Sequence, residues 1–191
     1  EDLRYIAFGG CTETMIEGLS NVGSDDAGIN TALIFDKFMR ENLGRIDTFE
    51  EFMEAYTVEA ERVVAETCGI LEEHRKTRAK FRPQPVRTLF VDDCIDKGLD
   101  FNAGGARYNW SVINVAGLIN VIDSMQVVKT LVYEEKRYTA AQFLEKLDAQ
   151  DPQFLLQHPA SSLLEQNLQI VPRTPSLLHL YHNLASLRHN A

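Results

Sequence analysis

The sequence predicts an α/β fold that is rich in helix and contains few, short strands. Residues 3–8 alternate in character and include Tyr, Ile and Phe, a pattern typical of a short buried strand. Most later segments carry apolar residues near helical spacing behind capping residues, which favours helices. Hydrophobic residues form 45% of the 191-residue chain, so we expect a substantial core and no global disorder.

The composition argues against several classes of partner. The net charge of −9 gives an acidic surface that repels phosphate backbones, so we expect no nucleic-acid partner. No apolar run is long enough to span a bilayer and no secretory signal is visible, so we expect no membrane partner either. Because the chain starts at Glu1 in the middle of a pattern, the sequence suggests a segment of a longer protein.

Three cysteines, Cys11, Cys68 and Cys94, lie far apart in the chain. They form no Cys-x-x-Cys pair and no zinc-binding spacing with histidine, so no metal site is predicted. Their odd number argues against a disulfide framework, and a reducing cytoplasm fits this cysteine usage best.

A polar loop follows the predicted strand over residues 18–28. It contains Ser24, Asp25 and Asp26, whose side chains can cap a helix. The sequence therefore predicts a helix over residues 27–42 behind these caps.

A long helix is the strongest prediction in the chain. Gly44 ends the preceding helix, and the stretch from Thr48 to Glu51 has the sequence of a capping box. The apolar residues that follow keep near-helical spacing as far as about Lys80, where basic residues suit the negative end of the helix dipole.

The segments behind the long helix are shorter. Residues 86–97 predict a helix that Gly98 ends, and residues 99–110 predict a structured loop with a short extended piece. Paired glycines in that loop, Gly104 and Gly105, permit close approach of the backbone.

Two more helices are predicted before the chain changes composition. Residues 112–132 are strongly apolar and predict a helix broken near 120–124, and Thr139 caps a short helix over residues 140–147.

The composition changes after Asp151. Residues 1–150 carry the whole net charge of −9, whereas residues 151–191 are neutral, Leu-rich and free of glycine. We therefore predict a boundary there, with a tail that is helical or poorly ordered. Weak amphipathic patterns suggest tail helices over residues 160–170 and 176–188.

Two motifs carry a resemblance to a known family. The stretch Gly9-Gly10-Cys11-Thr12-Glu13 resembles the Gly-Cys-x-Glu loop that holds the active-site cysteine of glycyl radical enzymes. The longer block over residues 92–109, which includes Asn-Ala-Gly-Gly-Ala-Arg-Tyr-Asn, is similar to that family's Asp-Cys-x-x-x-Gly … Asn-x-Gly-Gly-Ala-x-Tyr-Asn pattern. The similarity covers about residues 3–148 and stops at the tail. Within that family, the sequence resembles the dehydratase and lyase branch of the pyruvate formate-lyase-like enzymes.

The resemblance implies a fold and a place for the chain within it. The family's fold is a ten-stranded α/β barrel of two five-stranded halves, and this chain would be a fragment of the second half. Residues 3–8 would form a barrel strand, and the cysteine loop would project into the barrel's centre. Residues 1–150 would thus be part of the catalytic barrel domain.

The resemblance also implies the roles of two residues. Cys11 would carry a thiyl radical that removes a hydrogen atom from an unactivated substrate carbon. Glu13 would act as the general base that deprotonates a substrate hydroxyl. In an extended loop residues i and i+2 point the same way, so both side chains can face one substrate.

Four further residues are candidates for substrate binding. Ser24 and Asp25 fall where dehydratase-like members carry a polar residue and a carboxylate, although helix capping explains them equally well. Arg107 could neutralise an anionic substrate or pair with Asp100. Asn109 belongs to the same block, for which we favour a structural role over direct chemistry.

The chain departs from the family pattern in two ways. Thr12 stands where pyruvate formate-lyase proper has a second cysteine, which points away from acyl transfer of the formate C-acetyltransferase type. No glycine follows Gly117, so the chain contains no candidate for the glycine that hosts the stored radical, and alone it should be inert. The resemblance implies a homodimeric parent and a small polar substrate. It also implies an activating enzyme that uses an iron–sulfur cluster and S-adenosylmethionine to install the radical, with no cofactor bound by this chain.

The sequence also allows two other interpretations of the chain's function. Asp92, Asp93 and Asp96 fit the Asp-Asp-x-x-Asp motif of isoprenoid synthases, whose carboxylates could share a helix face and bind magnesium diphosphate. No second acidic motif accompanies them. Alternatively, the chain is a catalytically inert truncated product, as the compositional break suggests.

Overall fold

The computed structural model describes residues 1–10, 13–24, 26–149 and Phe154. The chain divides into two units. The first contains Glu1–Ile29 and Ala60–Val115, and the second contains Asn30–Glu59 and the described residues from Ala116 onward.

An antiparallel hairpin opens the first unit. A 3₁₀ turn over Asp2–Tyr5 leads into β1 (Ile6–Gly9), which pairs with β2 (Glu13–Ile16). The predicted strand over residues 3–8 is therefore correct only from residue 6 onward, and its predicted burial is wrong. Leu3, in the 3₁₀ turn, is 75% exposed, and Phe8, in β1, is 73% exposed.

Two further strand pairs follow the hairpin. The short β3 (Ser20–Asn21) runs parallel to β5 (Tyr108–Asn109), and β4 (Ala27–Asn30) pairs with β6 (Ile113–Ala116). The short extended piece predicted within residues 99–110 is thus confirmed as β5.

The predicted helix over residues 27–42 begins later than expected. Its first four residues form β4, and α1 (Thr31–Asn42) starts behind Asn30, whose side chain accepts a hydrogen bond from the backbone amide of Leu33 at 3.1 Å. The capping role predicted for Ser24 is therefore wrong, because the pairing of β4 with β6 moves the helix start away from the loop.

The long helix is confirmed as α2 (Phe49–Phe81), 33 residues in length. Its start is capped as the sequence predicts, with the backbone amide of Glu51 donating to Oγ1 of Thr48 at 3.2 Å. The Thr48 hydroxyl in turn donates to the Glu51 carboxylate at 2.9 Å.

The single helix predicted over residues 86–97 is wrong. The structure has two short helices, α3 (Pro85–Phe90) and α4 (Cys94–Lys97). Asp93 between them adopts a left-handed conformation with φ of 71°, which no helix can continue through and which aspartate tolerates better than most residues. Gly98 ends α4 as predicted.

The helix predicted over residues 112–132 is also corrected. Its first part, which contains the β-branched residues Ile113 and Val115, forms β6, and α5 (Leu118–Val128) begins behind Gly117. No break occurs at residues 120–124, and a π-helical turn over Lys129–Glu134 extends the helix instead.

The core of the second unit is built from its helices. The last, α6 (Ala140–Asp148), has the capping box predicted from Thr139. Side chains from α1, α2, α5 and α6 form one hydrophobic cluster with aromatic rings at its centre. Its most buried members, at 0–1% exposure, are Phe35, Met39, Phe52, Val128 and Leu147.

Most of the predicted tail lies outside the described residues, including both tail helices. Phe154 is described, and its ring packs edge-on against those of Tyr138 and Phe143 at 5.6 Å between centroids. The predicted boundary near residue 151 stays a prediction. Among the described helices, none has the combination of length and hydrophobicity needed to cross a membrane.

Candidate active-site residues

The hairpin of β1 and β2 positions Glu13 beside Gly10. Gly9 and Glu13 face each other across the two strands, and Cys11 and Thr12, which lie between them in the sequence, are outside the described residues. The Glu13 carboxyl folds back over Gly10 so closely that a Cβ there would lie 3.0 Å from its Cδ atom. Gly10 also has a φ of 49°, a left-handed conformation that glycine adopts without strain.

The Glu13 carboxyl is also enclosed. Its Oε2 atom is buried and has no hydrogen-bond partner among the described residues. A buried polar atom without a partner costs about 1–3 kcal/mol, so such atoms in native structures call for a functional or solvent partner. Glu13 lies two residues beyond Cys11 in the sequence, and its role as a general base stays a prediction.

Asp100 anchors the block over residues 92–109. Its carboxylate accepts hydrogen bonds at 2.8 Å from the backbone amides of Gln84 and Asn102 and from the Thr88 hydroxyl. Burial acts to raise the pKa of Asp100, but these hydrogen bonds outweigh it and hold the pKa below its ordinary value. The predicted alternative pair between Arg107 and Asp100 is wrong, since Asp100 is used in this way.

Of the paired glycines, Gly105 confirms the predicted close approach of the backbone, whereas no heavy atom lies within 4 Å of a Cβ placed on Gly104. A Cβ on Gly105 would lie 2.8 Å from Sγ of Cys94 and 3.1 Å from the carbonyl oxygen of Asp100. Burial raises the pKa of the Cys94 thiol, which favours its neutral form. Cys94 is thus a packing residue beneath the loop.

Arg107 is engaged by two carboxylates. Its Nε and Nη2 atoms donate to Asp93 at 3.1 and 2.8 Å, and its Nη1 atom donates to Asp2 at 3.1 Å. The hydrogen bonds from Arg107 lower the pKa of Asp93, and those from Tyr108 and Arg107 lower the pKa of Asp2. An anionic substrate at Arg107 would have to share or replace one of these carboxylates, and this role stays a prediction.

The same arrangement removes the basis of the magnesium hypothesis. Asp92 and Asp93 precede α4 and Asp93 is left-handed, so the three carboxylates through Asp96 do not share a helix face. The Asp93 carboxylate is moreover bound to Arg107. In the described part of the chain no cluster of three or more His, Cys, Asp or Glu side chains could hold a metal ion.

Asn109 lies on β5, which ends the 92–109 block and pairs with β3. Asn109 faces Asn21 across the parallel pair, with backbone hydrogen bonds of 3.1 Å from Tyr108 to Leu19 and from Trp110 to Asn21. The pairing joins the segment that follows the cysteine loop to the end of the 92–109 block. Two segments that are distant in sequence thereby become neighbours in one unit.

The Asn109 side chain is only partly satisfied. Its Nδ2 group donates to the carbonyl oxygen of Ala106 at 2.8 Å, whereas its Oδ1 atom is buried and has no partner among the described residues. An unpaired acceptor of this kind suits a hydrogen bond from a hydroxyl or amine.

Asp26 is the functional candidate that sequence reasoning missed. Its carboxylate accepts hydrogen bonds of 2.6 and 2.9 Å from Arg78 and one of 2.6 Å from the Ser111 hydroxyl, and its side chain is 7% exposed. Burial acts to raise the pKa of Asp26, but the hydrogen bonds from Arg78 and Ser111 lower it below its ordinary value. The sequence suggests a helix cap here, and no local pattern links Asp26 to Arg78.

The predicted site residues share one unit without forming a single network. Glu13, Ser24, Arg107 and Asn109 all lie in the first unit, with Ser24 on an exposed turn. Within the described residues no hydrogen bond or ion pair joins any two of these four. Cys11 and Asp25 lie outside the described residues.

Comparisons with known proteins identify the family. Residues 1–150 match the sequence profile of the family described as "Pyruvate formate lyase-like". The chain is 27% identical over 160 residues to (2S)-3-sulfopropanediol dehydratase of Klebsiella oxytoca, and the aligned region covers 76% of this chain and 19% of that enzyme. It is also 27% identical over 175 residues to trans-4-hydroxy-L-proline dehydratase of Clostridioides difficile, and that aligned region covers 78% of this chain and 21% of that enzyme.

A solved structure gives the same result. The glycerol-bound B12-independent glycerol dehydratase from Clostridium butyricum superposes with a TM-score of 0.72 at 27% identity, covering 78% of this chain and 21% of that one. The chain thus spans about one fifth of the length of these relatives. Because the family profile covers residues 1–150 of 191, the chain belongs to the pyruvate formate lyase-like family of glycyl radical enzymes.

Proposed function

We propose that this chain belongs to a glycyl radical lyase or dehydratase that acts on a small polar substrate. Cys11 is the thiyl radical residue and Glu13 is the general base. The observation that carries this proposal is the buried Oε2 atom of Glu13, which has no hydrogen-bond partner among the described residues and lies two residues beyond Cys11 in a chain that matches the family over residues 1–150.

The two side chains divide the chemistry between them. The Cys11 sulfur takes a hydrogen atom from the substrate carbon that bears a hydroxyl group, so an S–H bond forms and a C–H bond breaks. Glu13 takes the hydroxyl proton, and the bond from the neighbouring carbon to the leaving group then breaks, with the leaving group keeping the bonding pair. The product radical recovers the hydrogen atom from Cys11, which closes the cycle. Proton transfer of this kind contributes about 10²–10⁴-fold to a rate.

The substrate is held by the polar residues around this pair. Asn109 offers its unpartnered Oδ1 acceptor to a hydroxyl or amine, and Ser24 and Asp25 offer further polar contacts. Arg107 exchanges part of its contact with Asp93 or Asp2 for an anionic group.

The names of the relatives and Thr12 support elimination rather than acyl transfer. The named relatives are dehydratases of a sulfonated diol and of a hydroxylated amino acid. Thr12 occupies the position of a second cysteine that acyl transfer in this family would use.

The rest of the enzyme completes this machinery. The chain forms part of the second half of a ten-stranded α/β barrel, with β1 as a barrel strand, in a cytoplasmic homodimer. A radical S-adenosylmethionine enzyme with an iron–sulfur cluster installs the glycyl radical that supplies Cys11. The 191-residue chain alone is inactive.

The test uses the full-length protein that contains this sequence, activated anaerobically. Electron paramagnetic resonance should detect a glycyl radical, and turnover is measured on 3-sulfopropanediol, trans-4-hydroxy-L-proline and glycerol. Cys11→Ser should abolish turnover while the radical signal persists, whereas Cys68→Ser, at an exposed position of α2, should retain both. Turnover by the Cys11→Ser variant would remove Cys11 from the mechanism.

Glu13→Gln tests the general base in the same protein. It should lower kcat by about 10²–10⁴-fold with the glycyl radical signal unchanged. The matched control is Glu17→Gln, which changes an exposed glutamate just beyond β2. A kcat for Glu13→Gln within about threefold of that of the control would contradict the role of Glu13.

A further inference from the structure

A partly buried ion pair holds the turn that contains Ser24, one of the predicted substrate-binding residues. Arg78 of α2 binds both carboxylate oxygens of Asp26 at 2.6 and 2.9 Å, and Ser111 adds a third hydrogen bond of 2.6 Å. Asp26 follows Ser24 and Asp25 directly in the chain. These contacts fix the end of the turn to the long helix and to the segment behind β5.

The start of the turn is fixed as well. The Gly23 carbonyl accepts hydrogen bonds from the backbone amides of Val112 at 3.1 Å and Asp26 at 3.3 Å. A Cβ on Gly23 would contact the Asp26 carboxylate and lie 2.9 Å from the carbonyl oxygen of Trp110. Ser24 itself is exposed, so Gly23 and Asp26 are held by these contacts while the Ser24 side chain stays open to solvent.

Stability alone does not explain this arrangement. Removing two charges from water largely offsets their attraction, and a buried ion pair replaced by apolar residues often leaves stability unchanged or increased. A bidentate arginine–carboxylate pair instead contributes orientation, because its two parallel hydrogen bonds fix the guanidinium and carboxylate groups relative to each other. This fixed orientation acts on the backbone at Asp26, two residues beyond Ser24.

We propose that Asp26 is a positioning residue, which through Arg78 and Ser111 fixes the turn that presents Ser24 to the substrate. The catalytic part of this inference rests on the proposed function. The mechanical part, that the carboxylate orders the turn, does not.

The experiment compares Asp26→Asn with Asp36→Asn in the full-length protein. Asp36 is the matched control, because it also binds an arginine, Arg40, through both oxygens at 2.9 and 3.0 Å, but in the second unit. Hydrogen–deuterium exchange of the peptide over residues 20–28 should become at least about tenfold faster in Asp26→Asn and stay unchanged in Asp36→Asn. Exchange in α1 should not change in Asp26→Asn.

The second readout is steady-state kinetics, measured on whichever of the three compounds named above the enzyme turns over. Asp26→Asn should lower kcat/KM by about 10²-fold, the size expected of a misplaced contact group, with an unchanged glycyl radical signal. Arg78→Lys keeps the charge but loses the bidentate geometry, so it should lower kcat/KM less and still speed exchange.

The outcomes separate this inference from the proposed function. Unchanged exchange in Asp26→Asn and Arg78→Lys overturns the positioning role, and so does faster exchange with unchanged kcat/KM. Turnover by Cys11→Ser overturns the proposed function alone, and the exchange data then still decide whether Asp26 orders the turn.

Discussion

The paired glycines allow a sharp test of packing in the 92–109 block through the change Gly105→Ala. The new Cβ would lie 2.8 Å from Sγ of Cys94 and 3.1 Å from the carbonyl oxygen of Asp100, and it would contact the carbonyl oxygen of Leu99. Two of these neighbours are backbone atoms, and the third belongs to a fully buried side chain, so none can rotate away. Overpacking of a well-packed site costs about 1–3 kcal/mol, and we expect the upper end, about 3 kcal/mol.

Two other glycines serve as controls. Gly104 has a φ of 86°, and no heavy atom lies within 4 Å of the position that a Cβ would take there. Gly104→Ala should therefore cost only the left-handed conformation, about 1–2 kcal/mol. Gly69 lies on α2 with open space around it, so Gly69→Ala should stabilise by about 1 kcal/mol through helix propensity.

The assay is urea unfolding of the 191-residue chain followed by fluorescence of Trp110, its single tryptophan, which lies directly behind β5. The predicted order of stability is Gly69→Ala above the parent, then Gly104→Ala, then Gly105→Ala. A Gly105→Ala variant within about 0.5 kcal/mol of the parent, or less destabilised than Gly104→Ala, would refute the steric reasoning.

Two further predictions concern the second unit. Burial and, to a smaller extent, the charges of Asp47 and Glu51 raise the pKa of Tyr133 from its ordinary 10.0 to about 12. The neutral form of Tyr133 therefore contributes stability that is fully present below pH 10 and is lost as the pH rises towards 12. Tyr133→Phe removes the 3.2 Å hydrogen bond to the carbonyl oxygen of Ile46, so urea unfolding at neutral pH should show an unfolding free energy about 1 kcal/mol lower. The unfolding free energy of this variant should also fall less between pH 10 and 12 than that of the parent. Thr139→Ala removes the N-cap of α6 and should lower the unfolding free energy by about 1 kcal/mol, and an unchanged midpoint would contradict the capping role.

Local signals predict the elements whose ends are decided locally. The starts of α2 and α6 follow from capping residues that lie within one turn of them, and the sequence identifies both. Prediction fails where distant pairing decides the structure. The sequence assigns residues 27–30 to a helix because possible capping residues precede them, and residues 113–116 because they belong to an apolar stretch. They instead form the strand pair of β4 and β6.

The same distinction applies to the candidate site. The motifs identify Glu13 and the 92–109 block, because family patterns are read along the chain. The contact between Asp26 and Arg78 joins residues 52 positions apart, and the pairing of β3 with β5 joins segments still farther apart. Neither leaves a local signature, so local patterns assign Asp26 only the commoner role of a helix cap.

The unsatisfied polar atoms of the structure provide an independent argument for the site. Three buried side-chain atoms among the described residues have no hydrogen-bond partner, on Glu13, Asn109 and Ser124. Two of the three belong to residues that the motifs select, and both lie in the first unit. Each unpaired atom costs about 1–3 kcal/mol, which a purely structural role would give no reason to retain. A hydroxylated ligand that bonds to either oxygen would recover part of that energy on binding, as the roles proposed for Glu13 and Asn109 predict.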